Sequence, residues 1–258
     1  MNVQSHPAAS RQPGIAAEEW RLRVDLAGCY RIFDHLGWSE TIMNHITVRV
    51  PGPEHHFLIN PYGLTYDEVT ASNLVKIDLE GKVIGHSDWP VNPAGFVIHS
   101  AIHAGREDAI CIAHTHTTEA QAVSMKAAGL NLNSIYASQF VGRIGYHDFE
   151  GLSLYEGEKE RILANLGKSN AVLVMRNHGV LTVGRSIGEA FWNMWRFQRA
   201  AEVQVKAEAM AGPDNIISDE VRRRCQKDAD NFGPNSVSEN IFRAMLRKVQ
   251  RIDPSFEN

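Results

Sequence analysis

The chain has 258 residues, of which 43% are hydrophobic, and a formal net charge of −4 at neutral pH. This length and composition suffice for one large domain with a buried core, and the charge offers no general attraction to nucleic acid or anionic membrane. Three cysteines, far apart and odd in number, indicate neither a disulfide framework nor a cysteine-based zinc site, and so a reducing compartment. Together with the charge and the lack of a long apolar stretch, this predicts a cytoplasmic protein without nucleic-acid or membrane partners.

The first part of the chain is predicted to mix helices and strands. Residues 1–15 are polar with two prolines and are expected to form a disordered arm, followed by one main domain over residues 16–212. Pro51-Gly52-Pro53 predicts a turn between two strands of a hairpin. Helices are predicted at 17–36 and 67–72, and strands at 46–50, 56–60 and 74–79.

The second part begins with an irregular stretch, Trp89 to Gly95, because two prolines remove backbone donors there. Residues 135–146 are ambiguous between strand and loop. Ser186 and Glu189 form a predicted capping box that opens the longest helix. Helices are predicted at 96–104, 117–127, 156–166 and 186–210, and strands at 110–114, 171–175 and 180–183. Residues 213–258 are predicted to form a helical extension with helices at 219–230 and 238–250.

Two histidine stretches stand out within this pattern. His114 and His116 follow an apolar run that reads as a buried strand, and side chains two apart on a strand point to the same face. His178 follows a second apolar strand and precedes Gly179, which permits a tight turn. The pattern therefore predicts that these three imidazoles converge on one point.

Three neutral imidazoles suit Zn²⁺, Mn²⁺ or Fe²⁺, and three protein ligands leave positions open for substrate, as in catalytic metal sites. The alternative is accidental spacing, because the chain has 12 histidines and a buried histidine often bonds only to a backbone carbonyl. His99 and His103, four residues apart on a predicted helix, are a second pair with this ambiguity.

From about Ala17 to Gly212 the chain resembles the class II aldolase/adducin family. The motifs that carry the resemblance are Asn44-His45-Ile46-Thr47, Leu58-Ile59-Asn60-Pro61-Tyr62-Gly63, His114-Thr115-His116-Thr117 and Arg176-Asn177-His178-Gly179. The resemblance implies an α/β fold, a three-layer α/β/α sandwich around a mostly antiparallel sheet. It also implies a homotetramer with active sites at subunit interfaces, and a divalent metal, Zn first, on His114, His116 and His178.

The sugar-phosphate aldolases of this family cleave their substrates through a metal-stabilised enolate, with a glutamate that moves the proton. That position falls on Gly95, which cannot act as an acid or base. The phosphate-binding serines of those enzymes fall on Pro93 and Ala94, and the glycine before Asn44 is Met43. These departures point away from a phosphorylated sugar as the substrate.

The expected function is therefore a metal-dependent lyase that performs aldol-type cleavage or decarboxylation on a small oxygenated carboxylic acid. A metal that stabilises an enolate after carbon–carbon cleavage can equally stabilise the electron pair that is left when CO₂ departs, so it could serve both reactions. Two alternatives stay open: a non-heme iron oxygenase on the same scaffold, and a non-catalytic adducin-like module for binding or assembly.

His45 and Tyr146 are the candidate catalytic residues that would move the proton. For His45 the alternative is a structural hydrogen bond, and for Tyr146, as for Tyr136 and His147, it is packing. Further candidates are Arg143, which would pair with a substrate carboxylate unless it forms a surface salt bridge, and Glu119, which would orient a metal ligand.

Overall fold

The computed structural model of the protein describes residues 14–152, 156–231 and 234–258. Residues 1–13, which make up most of the predicted N-terminal arm, lie outside this described part. The short stretches 153–155 and 232–233 lie outside it as well.

Helices and strands follow one another along the described ranges, and the longest described segment without a regular α-helix or strand is 125–143. The helices are α1 (Ala17–His35), α2 (Pro93–Gly105), α3 (Thr118–Ser124), α4 (Lys159–Leu166), α5 (Ile187–Glu208), α6 (Asp219–Asn231) and α7 (Pro234–Ile252). The strands are β1 (His45–Arg49), β2 (Phe57–Ile59), β3 (Val75–Ile77), β4 (Cys111–Thr115), β5 (Ile144–His147), β6 (Val172–Met175) and β7 (Gly179–Gly184). The predicted helix at 67–72 is wrong, because the helical part there is a single 3₁₀ turn, Tyr66–Glu68.

The seven strands form one sheet in the order β3-β2-β1-β4-β7-β6-β5. Neighbouring strands are antiparallel except β5 and β6, which run parallel. The predicted central and mostly antiparallel sheet is confirmed. The ambiguous stretch before Tyr146 ends in the edge strand β5.

Helices cover both faces of the sheet. Because successive side chains of a strand point to opposite faces, each face has its own core. On one face, Ala113 and Val174 belong to a core that includes buried residues of α1, α5 and α7. On the other face, Ile112 and Leu173 belong to a second core with buried residues of α2 and α4. The predicted α/β/α sandwich is therefore confirmed.

The predicted starts of two helices are wrong, because α2 begins at Pro93 and not at residue 96, and α7 begins at Pro234 and not at residue 238. The side chain of Asn92 accepts hydrogen bonds from the N–H groups of Ala94 and Gly95 and so caps the helix. Proline suits the first helical position, where the missing N–H has no intrahelical partner to lose. The irregular stretch therefore ends before Pro93.

The N-terminus of α5 follows the prediction in part. The hydroxyl of Ser186 accepts a hydrogen bond from the N–H of Glu189 at 3.1 Å, as an N-cap should. The Glu189 carboxylate accepts from the N–H of Arg185 at 2.7 Å, not from that of Ser186. Only half of the predicted capping box is present.

The C-terminal helix α7 packs against α1 and α5. Phe242 and Val249 of this helix, together with Phe256 beyond it, are buried in the main core. The last helix therefore completes the helical layer on that face of the sheet. In the part of the chain that the structure describes, no helix has both the length and the apolar character needed to cross a membrane.

Candidate metal centre

The central strand β4 and the turn between β6 and β7 bring the three histidines together. His114 lies in β4, and His116 follows the end of that strand. β7 pairs with β4 through Thr115 and Val180, so the turn that precedes β7 lies beside His116. In this turn Asn177 adopts a φ of 58°, a left-handed conformation that asparagine tolerates better than most residues.

Gly179 allows this turn to lie close to β4. A Cβ atom at position 179 would lie 2.5 Å from the carbonyl oxygen of Thr115 and 2.9 Å from Cδ2 of His116. Any side chain at this position would therefore push β7 and His178 away from the other two histidines. This close approach explains the glycine after His178.

The imidazoles of His114, His116 and His178 face one another across a small space. One potential ligand atom from each residue lies within 4.8 Å of the other two. The Nε2 atoms of His114 and His116 are 2.7 Å apart, and the ring of His178 lies 5.0 Å and 4.7 Å from those two rings. We call these three residues the histidine triad.

Hydrogen bonds on the far side of two rings determine which nitrogens carry hydrogen. Nδ1 of His114 lies 3.0 Å from the carbonyl oxygen of Val180, and Nδ1 of His116 lies 2.5 Å from Oε2 of Glu40. A carbonyl oxygen and an ionised carboxylate only accept hydrogen bonds, so both Nδ1 atoms donate.

In neutral rings, the two Nε2 atoms of His114 and His116 then present lone pairs to each other. Lone pairs at this distance repel one another unless a cation, either a metal ion or a proton, lies between or beside them. Imidazole nitrogens held in this way by an acceptor behind the ring are the usual ligands of Zn²⁺ and related ions. The triad therefore fits a divalent metal.

Burial keeps the rings of His114 and His178 neutral. It lowers the pKa of His114 well below its usual range and that of His178 to about 4, and the neighbouring His116 lowers both further. Neutral imidazole is the form that binds a metal ion. These two ligands are therefore unprotonated at neutral pH.

His45 lies directly beside the triad. Its ring centroid is 5.1 Å from that of His114 and 4.5 Å from that of His99, on which it stacks. The residue is only 2% exposed, and neither ring nitrogen has a hydrogen-bond partner within the described ranges. Burial lowers the pKa of His45 to about 3, so the ring is neutral.

The position of His45 explains the glycine at position 95. A Cβ atom on Gly95 would lie 1.9 Å from Cδ2 and 2.6 Å from Nε2 of His45. The imidazole therefore fills the space that a side chain at 95 would need. Where the resemblance predicts a glutamate, this chain has an imidazole that enters from β1.

His99 and His103 bond to a threonine and not to the triad. Nδ1 of His99 and Nε2 of His103 lie 2.7 Å and 2.8 Å from Oγ1 of Thr47. Nδ1 of His103 lies 3.1 Å from the carbonyl oxygen of Ala109. This pair braces α2 against β1 behind His45.

The aromatic candidates of the ambiguous stretch have structural contacts in the single chain. The hydroxyl of Tyr146 accepts a hydrogen bond from the N–H of Leu130 at 3.2 Å, and Arg176 lies 4.8 Å from the centre of its ring. His147 is buried between Glu158 and Asn165, at 3.1 Å and 2.9 Å. None of these contacts is with the triad.

Sequence reasoning missed the carboxylate that touches the triad. Glu40, in the loop before β1, contacts His116, whereas the expected Glu119 accepts a hydrogen bond from Gln198 at 3.0 Å. No spacing or periodicity relates Glu40 to His116, since the contact joins a loop to a strand end. Only its place shortly before Asn44 and His45 pointed to the site.

A cavity of about 630 Å³ lies at the opposite end of the sheet, where β4, β5 and β6 begin and β7 ends. Arg143 lines it, so the structure places this candidate away from the triad. Arg106 donates hydrogen bonds to both carboxylate oxygens of Asp108 and to the carbonyl oxygens of Gly167 and Asn170. The charged residues of its described lining are Arg106, Arg143, Lys168, Arg185, Arg196, Asp108 and Glu189.

The fold recurs in known proteins of one family. A family model described as the class II aldolase and adducin N-terminal domain matches residues 24–205. The chain belongs to the class II aldolase and adducin family. The resemblance read from the sequence motifs is thereby confirmed. Class II aldolases typically depend on a divalent metal, so membership supports a metal-dependent, aldolase-type lyase at the level of the family.

Members of the family match this chain over most of its length. The crystal structure of an aldolase II superfamily protein from Pseudomonas syringae has a TM-score of 0.90 at 38% identity and covers 95% of this chain and 98% of its own. An L-fuculose 1-phosphate aldolase from Glaciozyma antarctica PI12 has a TM-score of 0.82 at 29% identity, covering 96% and 97%. Alpha-adducin of Rattus norvegicus is 48% identical over 199 residues, which are 76% of this chain but only 27% of the adducin.

Proposed function

We propose that the chain is a divalent-metal-dependent carbon–carbon lyase that cleaves or decarboxylates a small oxygenated carboxylic acid. The observation that carries the proposal is the convergence of three ligand atoms, from His114, His116 and His178, within 4.8 Å. Three protein ligands leave positions open for two substrate oxygens. Zn²⁺ is the proposed ion, and Mn²⁺ and Fe²⁺ are the alternatives that the same donors accept.

A metal ion held by His114, His116 and His178 would supply Lewis acidity for the negative charge that develops on a substrate when a carbon–carbon bond breaks. The residues of the chain do the rest. His114 and His116 hold their Nε2 atoms toward the site through the acceptors at their Nδ1 atoms. The two cores on either side of the sheet keep the strands that carry these ligands in register.

His45 is the proposed proton carrier, because its neutral ring lies beside His114 and has two nitrogens without a partner in the described part. A positioned imidazole can accept or return a proton within reach of its substrate. The Gly95 position supports this assignment, since the ring occupies the space that a carboxylate side chain would need. Pro93, Ala94 and Met43 stand where the resemblance places phosphate-binding residues, so the proposed substrate is not the phosphorylated sugar that a relative's name specifies.

Tyr146 is proposed as a second proton donor only within an assembly. In the single chain its hydroxyl lies at Leu130, so it would act at the triad of an adjacent subunit. We propose a homotetramer with sites at the subunit interfaces. Exposed apolar side chains near the triad support this: Phe149 is 52% exposed and lies 6.3 Å from the ring of His178.

The test of the proposed function is metal content and product formation. Protein purified without chelator should contain about one Zn, Mn or Fe ion per chain by elemental analysis, and His116→Ala should contain none. Incubation with a panel of small hydroxy and keto acids should release CO₂ or an aldehyde from at least one acid. A wild-type chain that binds no ion in metal-replete medium would refute the proposal.

An adducin-like binding or assembly module is the second candidate, favoured by the 48% identity to alpha-adducin. This alternative predicts an intact fold and assembly without any need for the open metal positions. Wild type and His116→Ala would then have the same oligomeric state by light scattering and would both lack lyase activity. Oxygen consumption that depends on Fe²⁺ would instead indicate the oxygenase.

A further inference from the structure

The loop from Gly37 to Asn44, between α1 and β1, carries Glu40 to the triad. The loop is anchored by Trp38, whose buried ring packs edge-on against Phe33 at 5.3 Å. The side-chain amide of Asn44 donates to the carbonyl oxygen of Trp38 at 3.1 Å. The N–H of Met43 donates to the carbonyl oxygen of Glu40 at 2.9 Å. The backbone around Glu40 is therefore fixed on both sides.

Thr41, the residue after Glu40, adopts a φ of 48°. A β-branched residue is strained in this left-handed conformation, because its side chain crowds the backbone. Strain of this kind persists only where the surrounding contacts enforce it, and it is common at binding and catalytic sites. The loop therefore holds Thr41, the residue next to the carboxylate of Glu40, in a strained backbone conformation.

The carboxylate meets His116 on the side of the ring away from the other histidines. Its Oε2 atom lies 2.5 Å from Nδ1, whereas Nε2 of the same ring lies 2.7 Å from Nε2 of His114. On His114 the carbonyl oxygen of Val180 occupies the equivalent place at 3.0 Å. Each ring therefore has one nitrogen held by an acceptor and the other aimed into the triad.

We propose that Glu40 is a positioning residue for the metal site. It fixes the tautomer and orientation of His116 so that Nε2 is free to bind the ion, and its charge makes that nitrogen a better ligand. Glu40 acts through the ring and not as a ligand, because it contacts the ring at Nδ1. This inference rests on the proposed function of the triad.

The test measures zinc affinity by competition with a chromophoric chelator. Five metal-free proteins are compared: wild type, Glu40→Ala, Glu40→Gln, Glu80→Ala and His116→Ala. Glu80 is an exposed glutamate in the turn after β3 and serves as the matched control. Loss of a hydrogen-bonded group behind a metal ligand typically weakens affinity by about 10–100-fold, which is the result expected for Glu40→Ala. Glu40→Gln should lie in between, because its amide oxygen still accepts the N–H without a charge.

A second readout reports on His116 itself. In zinc-loaded protein, the Nδ1–H proton of His116 should give a slowly exchanging NMR signal in wild type and Glu80→Ala, and no such signal in Glu40→Ala. Thermal unfolding of each metal-free variant separates loss of folding from loss of affinity, and Glu40→Gln, which keeps the side-chain shape, serves if Glu40→Ala unfolds.

The outcomes distinguish this inference from the proposed function. Wild-type zinc affinity in both Glu40 variants, with zinc lost in His116→Ala, would overturn the role of Glu40 and leave the metal site standing. A wild-type chain that binds no zinc would overturn both. Weakened affinity in Glu40→Ala with partial recovery in Glu40→Gln supports both.

Discussion

The two ends of the sheet differ in how far their buried polar side chains are paired by hydrogen bonds. At the histidine end, two Nε2 atoms face each other and His45 has no partner for either nitrogen in the described part. At the cavity end, Arg106 donates hydrogen bonds to Asp108 and to two backbone carbonyls. A satisfied polar network stabilises a fold, whereas buried groups without partners call for an explanation such as a ligand. Cavity volume and charge alone would have favoured the cavity end.

The largest expected effect is the loss of folding stability in acid, which the buried histidines at the histidine end should cause. The pKa values of His45 and His103 are lowered to about 3, and that of His178 to about 4, against about 6.5 in an unfolded chain. Below pH 6.5 the unfolded state therefore binds protons that the folded state does not, and stability falls as the pH falls. For three such histidines, we expect metal-free protein to lose about 4 kcal/mol per pH unit between about pH 6 and pH 5. Urea unfolding at pH 7, 6 and 5 measures this, and a constant free energy of unfolding would contradict it.

The next effect tests the fit between Gly95 and His45. Gly95→Ala should destabilise the fold by about 2–3 kcal/mol, because its Cβ would collide with the imidazole and overpack the site. In a His45→Ala background the same change should stabilise slightly, since alanine is the better helix former. Chemical denaturation of the four proteins of this double-mutant cycle gives the coupling. Additive effects would mean that the two positions do not share the space.

A smaller effect is expected at the cavity end, where Arg106→Ala should lower stability by about 2 kcal/mol. Most of this loss should come from the carbonyls of Gly167 and Asn170, which lose their donor, since Asp108 is half-exposed and can be hydrated. Zinc affinity should stay at the wild-type value. Lys168→Ala, which removes an exposed cation from the same cavity, is the control and should leave both quantities unchanged. A loss of zinc affinity in Arg106→Ala would remove the distinction between the two ends.

The smallest effect is expected at the N-cap of α5, beside the same cavity. Ser186→Ala should lower stability by about 1 kcal/mol, because the N–H of Glu189 loses its acceptor. Thermal unfolding detects this change, and Ser169→Ala, on the exposed turn nearby, is the matched control. Equal unfolding temperatures for Ser186→Ala and wild type would show that the cap is dispensable.

Local sequence patterns predicted the parts of the site that depend on secondary structure. The alternation of side chains on β4 was enough to place His114 and His116 on one face, and Gly179 indicated the tight turn that brings His178 near. The continuous apolar runs predicted the central strands, because a strand that is buried on both faces needs apolar side chains at successive positions. These features depend on residues close together in the chain.

Contacts between distant segments were not predictable in this way. The bond of Glu40 to His116 and the fit of His45 against Gly95 depend on how a loop and a helix pack on the sheet, which no periodicity encodes. The start of α2 was misread because two prolines were taken as helix breakers, although Pro93 occupies the one helical position that suits proline. Tertiary packing decided the first two points, whereas the start of α2 depended on the local cap of Asn92 and Pro93.

The strand order gives the triad a thermodynamic property that its geometry alone does not suggest. β4 and β7 are neighbours in the sheet although β5 and β6 lie between them in the chain, so an unfolded chain does not hold all three imidazoles together. An ion that binds the triad therefore binds the folded state far more tightly than the unfolded one. Free metal ion would raise the free energy of unfolding with concentration, by RT ln(1 + [metal]/Kd). Bound metal ion would therefore stabilise the state in which β4 and β7 are paired relative to states in which they are apart.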